Sequence, residues 1–553
     1  MMESHVNEGV SRRKIVTFVL LAIIGSAIIA ALLPSLHVPE TEEFLIIHKV
    51  FSKKVCKENI IEIVLEGKVL HEALEKGSID VSELCKFVSL NDPVVKQKQT
   101  IAAVIFYVSI LAAITFWERR VAAVFLGFVA LILTGVLPFR MALESMELGL
   151  ILFLISMMIV VGYLKESGFL RFITVKVVAL AGGSPTRFLF ILMLLSFVLA
   201  ALVDEVSSIV YVTLLVLETA ELLGLNPIPW LIVAVFATNL GSAATMIGNP
   251  IGIYIGLFFE KGFTDFLRYA SPAAFTALLV AYPISLRYLE RRGEIGKMKR
   301  ALGKRIELDP WAEVKNKTDF YLSAVLFVLT ILGIALHTEL AVLVQIILTA
   351  LYGENAKHMM YVTPHDMLVI VPVISAAIVI ARTGFSARKL VEERVEWWAL
   401  LFFMFLFAEA ATLSYTGVTD VLAYLILAAV GGEMNVWTGL NANLLVLVVT
   451  AVASGFVDNM PIIVALSPVA KTLMSIELPG GEMLPWSLLF GGTMGGNLTI
   501  IGSTANIVAI GIAEKRGFRI SFQEWIKIGA IVVAATLVVA YIWLALHVIE
   551  VIV

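Results

Sequence analysis

Apolar runs of about 20 residues recur along nearly the whole chain, and they restrict its fold more than any other feature. A helix of that length crosses the hydrocarbon core of a bilayer. Of the 553 residues, 59% are hydrophobic and 15% are charged, whereas soluble domains carry about 25% charged residues. We therefore expect an all-α polytopic membrane protein with eleven spanning segments and two further apolar stretches that acidic motifs interrupt.

Charge and motif content bound the function. The net charge of −3 offers no basic surface for nucleic acid. The chain contains no G-x4-G-K-[ST] sequence, so it shows no ATP motor of its own. The expected partners are the lipid bilayer and a small ion or anion. No enzyme activity and no cofactor are expected, apart from a bound Na⁺.

Basic residues predict the orientation in the membrane. The sequence "SRRK" (11–14) precedes the first apolar run, and eight Lys or Arg residues lie between positions 287 and 305. The positive-inside rule places both segments in the cytoplasm. The first run also fits a signal peptide, but its length and the lack of an A-x-A site favour a retained helix. The predicted domains are 1–35 (tail and first helix), 36–99 (extracytoplasmic insert), 100–292 (first half), 293–317 (cytoplasmic linker) and 318–553 (second half).

Both cysteines, Cys56 and Cys85, fall in the insert 36–99. A disulfide persists on the outer side of a membrane, so we expect the two to be bonded and within about 7 Å of each other between Cα atoms. Two free thiols are the alternative.

The chain repeats itself at a shift of 254 residues. The coinciding pairs are Asp204 with Asp458, Gly241 with Gly495, Thr245 with Thr499, Gly248 with Gly502, Glu260 with Glu514, and Lys261 with Lys515. Each copy contains a predicted re-entrant hairpin (187–222 and 441–475) followed by a Gly-broken helix (228–257 and 484–512). The two copies enter from opposite sides, and an inverted-topology repeat of this kind is typical of secondary transporters.

The hairpin tips and the broken helices carry the candidate site. The tips read "VDEVSS" and "VDNMP", and an aspartate at mid-bilayer costs about 2.5–3.5 kcal/mol, so it is functional by default. The broken helices add neutral oxygens and amides that suit a hard cation or an oxyanion. The candidate binding residues are Asp204, Glu205, Ser207, Ser208, Asn239, Gly241, Ser242, Thr245, Gly248, Asn249, Asp458, Asn459, Gly495, Asn497, Thr499, Gly502, Ser503, Thr504 and Asn506. Of these, Asp204, Asn239, Asp458 and Asn497 are the candidate sodium ligands.

Two other interpretations of these residues stay open. Gly, Ser and Thr also occur where transmembrane helices pack closely, and an aspartate also caps a hairpin turn. Among the remaining acids, Glu409 lies inside a span, where it either faces the cavity or belongs to the packing. Glu218 and Glu221 lie near the cytoplasmic end of the first hairpin, where we expect them to be solvated.

These motifs resemble the ion transporter superfamily, in the branch of the melanosomal P protein, arsenite-efflux membrane subunits and D-type sodium/proton antiporters, with a citrate-transporter-like domain. The resemblance is carried by "DEVSS" (204–208), "NLGSAATMIGNPIG" (239–252), "FVDNMP", "GGNLTIIGSTANIVAIGIAEKRGFRISFQEW" and "VEWWALLFF". It implies a scaffold domain and a moving transport domain that holds both hairpins, in a homodimer. Glu205 stands where the family has asparagine, and Asn249 where it has aspartate.

The sequence therefore predicts a secondary active transporter that works by elevator-type alternating access, coupled to Na⁺ or H⁺. Glu205 is the candidate proton carrier, because two adjacent carboxylates in a partly dry site resist being charged together. The alternative is that Glu205 points to the cytoplasmic mouth and is solvated. A passive channel on the same scaffold and the membrane subunit of an ATP-driven arsenite exporter are the alternatives. An intramembrane aspartyl protease is disfavoured, since no Gly-x-Gly-Asp context surrounds Asp204 or Asp458.

Overall fold

The computed structural model describes residues 12–36, 90–180, 184–301, 309–312, 314–353, 361–432 and 434–552. Most of the predicted insert 36–99 lies outside these ranges. The predicted disulfide between Cys56 and Cys85 lies outside them as well, and it stays a prediction.

All regular structure in the described ranges is helical. The helices up to residue 301 are α1 (Arg12–Ser35), α2 (Pro93–Thr115), α3 (Arg120–Leu133), α4 (Phe139–Glu144), α5 (Leu148–Glu166), α6 (Phe169–Ala179), α7 (Pro185–Leu202), α8 (Glu205–Leu223), α9 (Pro227–Ser242), α10 (Pro250–Phe258), α11 (Ser271–Arg291, after a π-helical turn Phe266–Ala270) and α12 (Glu294–Ala301). The later helices are α13 (Lys317–Ala335), α14 (His337–Tyr352), α15 (Pro364–Thr383), α16 (Ala387–Arg394), α17 (Trp397–Tyr415), α18 (Val418–Val430), α19 (Val436–Phe456), α20 (Asn459–Ser475), α21 (Leu484–Gly495), α22 (Thr504–Lys515) and α23 (Phe522–Ile552).

Eleven helices within the described ranges are long and apolar enough to cross a membrane, and the chain is a multi-pass membrane protein. This set is not the predicted eleven. It includes α7, α8 and α19, which the sequence assigns to the hairpins, and it omits α3 and the broken helices, whose pieces are shorter than 18 residues. Length alone does not separate a spanning helix from one arm of a hairpin, so the two sets agree in number and differ in membership.

One predicted boundary differs from the structure at the start of α2. The helix begins at Pro93, inside the predicted insert 36–99. Asp92 caps it through its Oδ1 atom, which accepts a hydrogen bond from the backbone N–H of Val94 at 2.8 Å. The first turns of α2 are polar, so the apolar run in the sequence covers only the later part of the helix.

Each broken helix consists of two helices separated by a short irregular segment. Residues 243–249 separate α9 from α10, and residues 496–503 separate α21 from α22. In the first break, Pro250 begins the new helix and the Asn249 side chain caps it, accepting from the N–H of Gly252 at 2.7 Å. In the second, Ser503 does the same, accepting from the N–H of Ala505 at 3.2 Å. Caps of this kind satisfy the free N–H groups that a new helix start exposes.

The chain forms two compact units, and neither corresponds to one half of the sequence. The first consists of Met1–Met146, Leu401–Ala442 and Val464–Glu482. The second consists of Glu147–Leu400, Asn443–Ile463 and Met483–Val553. The first hairpin (α7 and α8) belongs to the second unit, together with the tip of the second hairpin. The base of the second hairpin belongs to the first unit, whereas the resemblance implies one domain that holds both hairpins whole.

Candidate functional site

The tip of the first hairpin is a helix start. Asp204 lies between α7 and α8, and its Oδ1 accepts a hydrogen bond from the N–H of Ser207 at 2.7 Å. The backbone N–H of Glu205 donates to the carbonyl oxygen of Gly248, in the break of the first broken helix, at 3.0 Å. Asp204 therefore caps α8, and the tip is fixed to the broken helix of its own half.

Two buried polar atoms at this tip have no partner among the described residues. They are the Oε2 atom of Glu205 and the hydroxyl of Ser208, in side chains that are 6% and 1% exposed. The two residues are three positions apart in the first turn of α8, so they lie on the same face. An ion or a water molecule explains a buried polar atom of this kind. Oε2 of Glu409, in the first unit, is another such atom.

The tip of the second hairpin contributes a third acid beside these two. Asp458 is half-buried, and it interacts electrostatically with the carboxylate of Glu205, as Asp204 also does. Its neighbour Asn459 is the repeat partner of Glu205, but it is fully bonded. With its amide nitrogen facing the backbone, Asn459 donates to the carbonyl oxygens of Gly502 at 2.6 Å and Gly492 at 3.2 Å. The candidate site is therefore acidic and asymmetric.

A cluster of three asparagines joins the two broken helices. Nδ2 of Asn239, on α9, donates to Oδ1 of Asn497 at 2.8 Å and to Oδ1 of Asn506 at 2.9 Å. Oδ1 of Asn239 accepts from the hydroxyl of Ser503 at 3.1 Å. Asn506 in turn donates to the carbonyl oxygens of Gly496 and Thr499, both at 2.8 Å. These side chains are buried and bond to one another and to the backbone of the second break, so they hold α9 against α22.

Equivalent positions of the two copies make equivalent contacts. The hydroxyl of Thr245 donates to the carbonyl oxygen of Ala201, and the hydroxyl of Thr499 donates to that of Gly455. Each bond ties a broken helix to the hairpin of its own half. The copies differ by 254 residues at both the donor and the acceptor.

The paired glycines act through close packing. A Cβ atom on Gly241 would collide with the backbone of Phe197 in α7, and one on Gly495 would collide with the backbone of Ala451 in α19. Both glycines lie within helices, before the breaks. The sequence interpretation left helix breaking and close packing open for these glycines. The structure uses both of them to bring the hairpin arm and the broken helix into backbone contact.

Every candidate residue lies in the second unit. The candidate residues do not all surround a single binding position. Glu205, Ser208 and the aspartates gather at the tips, whereas Asn239 and Asn497 bond to each other. Among the described residues, no group of three or more His, Cys, Asp or Glu side chains is arranged to hold a metal ion. The candidate sodium ligands are thus divided between the acidic tips and the asparagine cluster.

The structure adds residues that the sequence argument missed. Lys165, near the end of α5, interacts electrostatically with Asp204, and its Nζ lies 5.7 Å from the ring centre of Tyr211. A lysine inside the apolar sequence "VVGYLKESGF" was the available signal. Trp525 donates to the carbonyl oxygen of Asn497 at 3.1 Å, and Ser454 to that of Gly492 at 2.6 Å.

Glu409 belongs to the first unit. It is fully buried, and its Oε1 accepts from the hydroxyl of Ser109 at 3.0 Å. A Cβ atom on Gly127 would collide with this carboxyl group, so α3 carries a glycine where α17 inserts its acid. The contacts of Oε1 fit the packing interpretation, whereas Oε2 has no partner among the described residues and leaves the other interpretation open.

Glu218 is not free in solvent, as its sequence position suggested. It makes a two-bond ion pair with Arg171 of α6, with N–O distances of 2.9 and 2.6 Å, and its side chain is 27% exposed. The prediction was wrong because the short helix α6, which follows α5, packs against α8 in the second unit.

This all-helical fold, with its paired hairpins and broken helices, is that of a membrane transporter. The chain belongs to the family described as citrate transporter (CitMHS), whose model matches residues 110–491, more than half of the sequence.

Two relatives and one solved structure are similar to this chain. An uncharacterised transporter of Mycobacterium tuberculosis is 29% identical over 404 residues, which covers 72% of this chain and 86% of the relative. The human P protein is 28% identical over 486 residues, which covers 77% of this chain and 57% of the P protein. The crystal structure of the Alcanivorax borkumensis YdaH transporter aligns with a TM-score of 0.51 at 16% identity, and covers 74% of this chain and 87% of that one. This last similarity concerns the fold alone.

Proposed function

We propose that the protein is a secondary active transporter that moves a small ion, or an organic or inorganic anion, and couples this movement to Na⁺ or H⁺. The observation that carries the proposal is the pair of buried, unpartnered atoms on Glu205 and Ser208 at the first tip. Asp204 and Asp458 interact electrostatically with the carboxylate of Glu205. Because the three acids repel one another when all are charged, the site favours a bound cation or a proton.

Ser242 connects Glu205 to the break of the first broken helix. Its hydroxyl donates to the carbonyl oxygen of Asn239 and accepts from Nδ2 of Asn249, both at 3.0 Å. It also interacts with the carboxyl group of Glu205. This position beside the irregular segment supports a binding role for Glu205.

The matching contacts of the two copies support alternating access. Thr245 and Thr499 tie each broken helix to its own hairpin, and Gly241 and Gly495 bring each pair into backbone contact. Two equivalent copies that are predicted to enter the membrane from opposite sides would provide two equivalent states, one open to each side. We extend the proposal to an inverted repeat, an elevator-type movement and a homodimer.

The family description makes citrate the first substrate to test, and a carboxylate anion the first substrate class. An anion that enters an acidic site binds more favourably with the coupling cation than without it, because the cation lowers the local negative charge. The expected cycle therefore loads the cation at the tips together with the anion.

The test is flux into proteoliposomes for citrate, dicarboxylates, phosphate, arsenite and Na⁺, under an imposed pH gradient or an imposed Na⁺ gradient. The variants are Glu205→Gln, which keeps the shape, and Glu205→Asn, which restores the family residue. Glu221→Gln on the same helix is the matched control, because the side chain of Glu221 is 79% exposed. We expect saturable flux driven by one gradient, and we expect both Glu205 variants to lose the dependence on pH if the ion is H⁺.

Two results would count against the proposal. If both variants keep the wild-type pH profile and still change the luminal pH during transport, Glu205 is not the coupling group. If the flux does not saturate and neither gradient drives accumulation, the protein is a passive channel and not a secondary transporter.

A further inference from the structure

A groove of about 570 Å³ lies in the second unit, outside the candidate site. It is formed where the end of α11 packs beside the start of α23. Its lining combines basic side chains at one end with isoleucines at the other. This division suits a molecule that has both a charged and an apolar part.

The basic end carries an excess of positive charge. Arg287, Arg291, Arg292 and Lys527 line it, together with one acid, Glu524. Glu524 is already satisfied, since it pairs with Arg292 at 2.7 Å. It also accepts a hydrogen bond from the hydroxyl of Tyr288 at 2.7 Å.

Three cations remain after this pairing. Arg287, Arg291 and Lys527 are exposed, and none of them makes an ion pair with a described residue. Arginine side chains bind the oxygens of a phosphate through two parallel N–H groups, which makes a phosphate the fitting anion for this end.

The apolar end runs along a candidate membrane span. Ile531 lines the groove, is 55% exposed, and lies within the candidate span Phe522–Ile549. Ile284, on α11, lines the opposite wall one turn before the arginines. An amphiphile whose phosphate reaches the cations lays its acyl chains against these isoleucines. Free phosphate gains nothing from them.

We propose that this groove binds the headgroup of an anionic phospholipid. The positive-inside expectation for the segment 287–305 assigns the groove to the cytoplasmic leaflet, where anionic lipids attract juxtamembrane Lys and Arg. The lipid joins α11 to α23 at one membrane surface, because both helices supply cations to one phosphate.

The test is native mass spectrometry of the full chain, delipidated in detergent and titrated with phosphatidylglycerol or phosphatidylcholine. The groove variant is Arg287→Gln/Arg291→Gln. The matched control is Lys299→Gln/Arg300→Gln, which removes the same charge from exposed positions of α12 that do not line the groove. A third variant, Arg287→Lys/Arg291→Lys, keeps the charge, and glycerol phosphate is the headgroup probe without chains.

The wild type and the control should retain phosphatidylglycerol in preference to phosphatidylcholine. The lysine variant keeps the charge but not the paired N–H groups, so it should bind phosphatidylglycerol more weakly than the wild type and more tightly than the groove variant. The groove variant should bind phosphatidylglycerol about 30-fold more weakly, since each cation near the surface contributes about fivefold. Unchanged binding by the groove variant, or an equal loss in the control, would overturn the proposal. Binding of glycerol phosphate as tight as that of the lipid would overturn it too, because the isoleucines would then contribute nothing.

Discussion

Replacing Asn239 by alanine tests whether the asparagine cluster holds α9 against α22 or binds the substrate. The side chain makes three buried hydrogen bonds, to Asn497, Asn506 and Ser503. Each bond contributes about 1 kcal/mol, and the oxygens left behind are buried. We expect Asn239→Ala to lower the free energy of unfolding by about 3 kcal/mol or more.

A second substitution makes this prediction quantitative. Asn497→Ala removes two side-chain bonds, one to Asn239 and one to the carbonyl oxygen of Phe236. The two single variants would lose five bonds if they were independent, but the double variant loses four because one bond is shared. The two losses should therefore fall short of additivity by about 1 kcal/mol.

The assay is equilibrium unfolding in mild detergent, followed by circular dichroism. The control is Asn316→Ala, at the exposed N-cap of α13, where the loss should be about 1 kcal/mol. If Asn239→Ala unfolds like the wild type while its KM for the substrate rises, Asn239 contacts the substrate and does not hold the two helices together. If the losses of unfolding free energy in Asn239→Ala and Asn497→Ala are fully additive in the double variant, the two side chains do not share a bond.

Further substitutions test other contacts. Gly241→Leu should prevent the hairpin arm from packing on α9 and destabilise the protein by about 3 kcal/mol, whereas Gly511→Leu, which has open space around it, should not; thermal unfolding of the two compares them directly. Arg171→Gln should cost about 2 kcal/mol by leaving Glu218 unpaired, and Arg171→Gln/Glu218→Gln should recover part of this loss in the same assay. Glu409→Gln should unfold at the wild-type temperature or above, because the amide fills the same space without a buried charge; a large drop would mean that the ionised carboxylate is needed.

The acids and the periodicity were accessible from the sequence. A membrane makes a charge expensive wherever it occurs, so Asp204 and Asp458 stand out in an apolar chain without any structural knowledge. The shift of 254 residues pairs Thr245 with Thr499 and Gly241 with Gly495, and it does so by residue type alone. The length of the apolar runs likewise predicts an all-helical membrane protein.

The tertiary structure decided which partner each of those residues has. Asn239 and Asn497 are 258 positions apart, and nothing in their local sequences states that each satisfies the other. Composition treats Glu205 and Glu409 alike, as acids among apolar residues. Packing places Glu205 beside two aspartates and encloses Glu409 between Ser109 and a glycine, although each keeps one oxygen without a partner among the described residues. Hydrophobicity is a property of each residue and can be read in order, whereas hydrogen-bond satisfaction belongs to pairs that only the folded chain brings together.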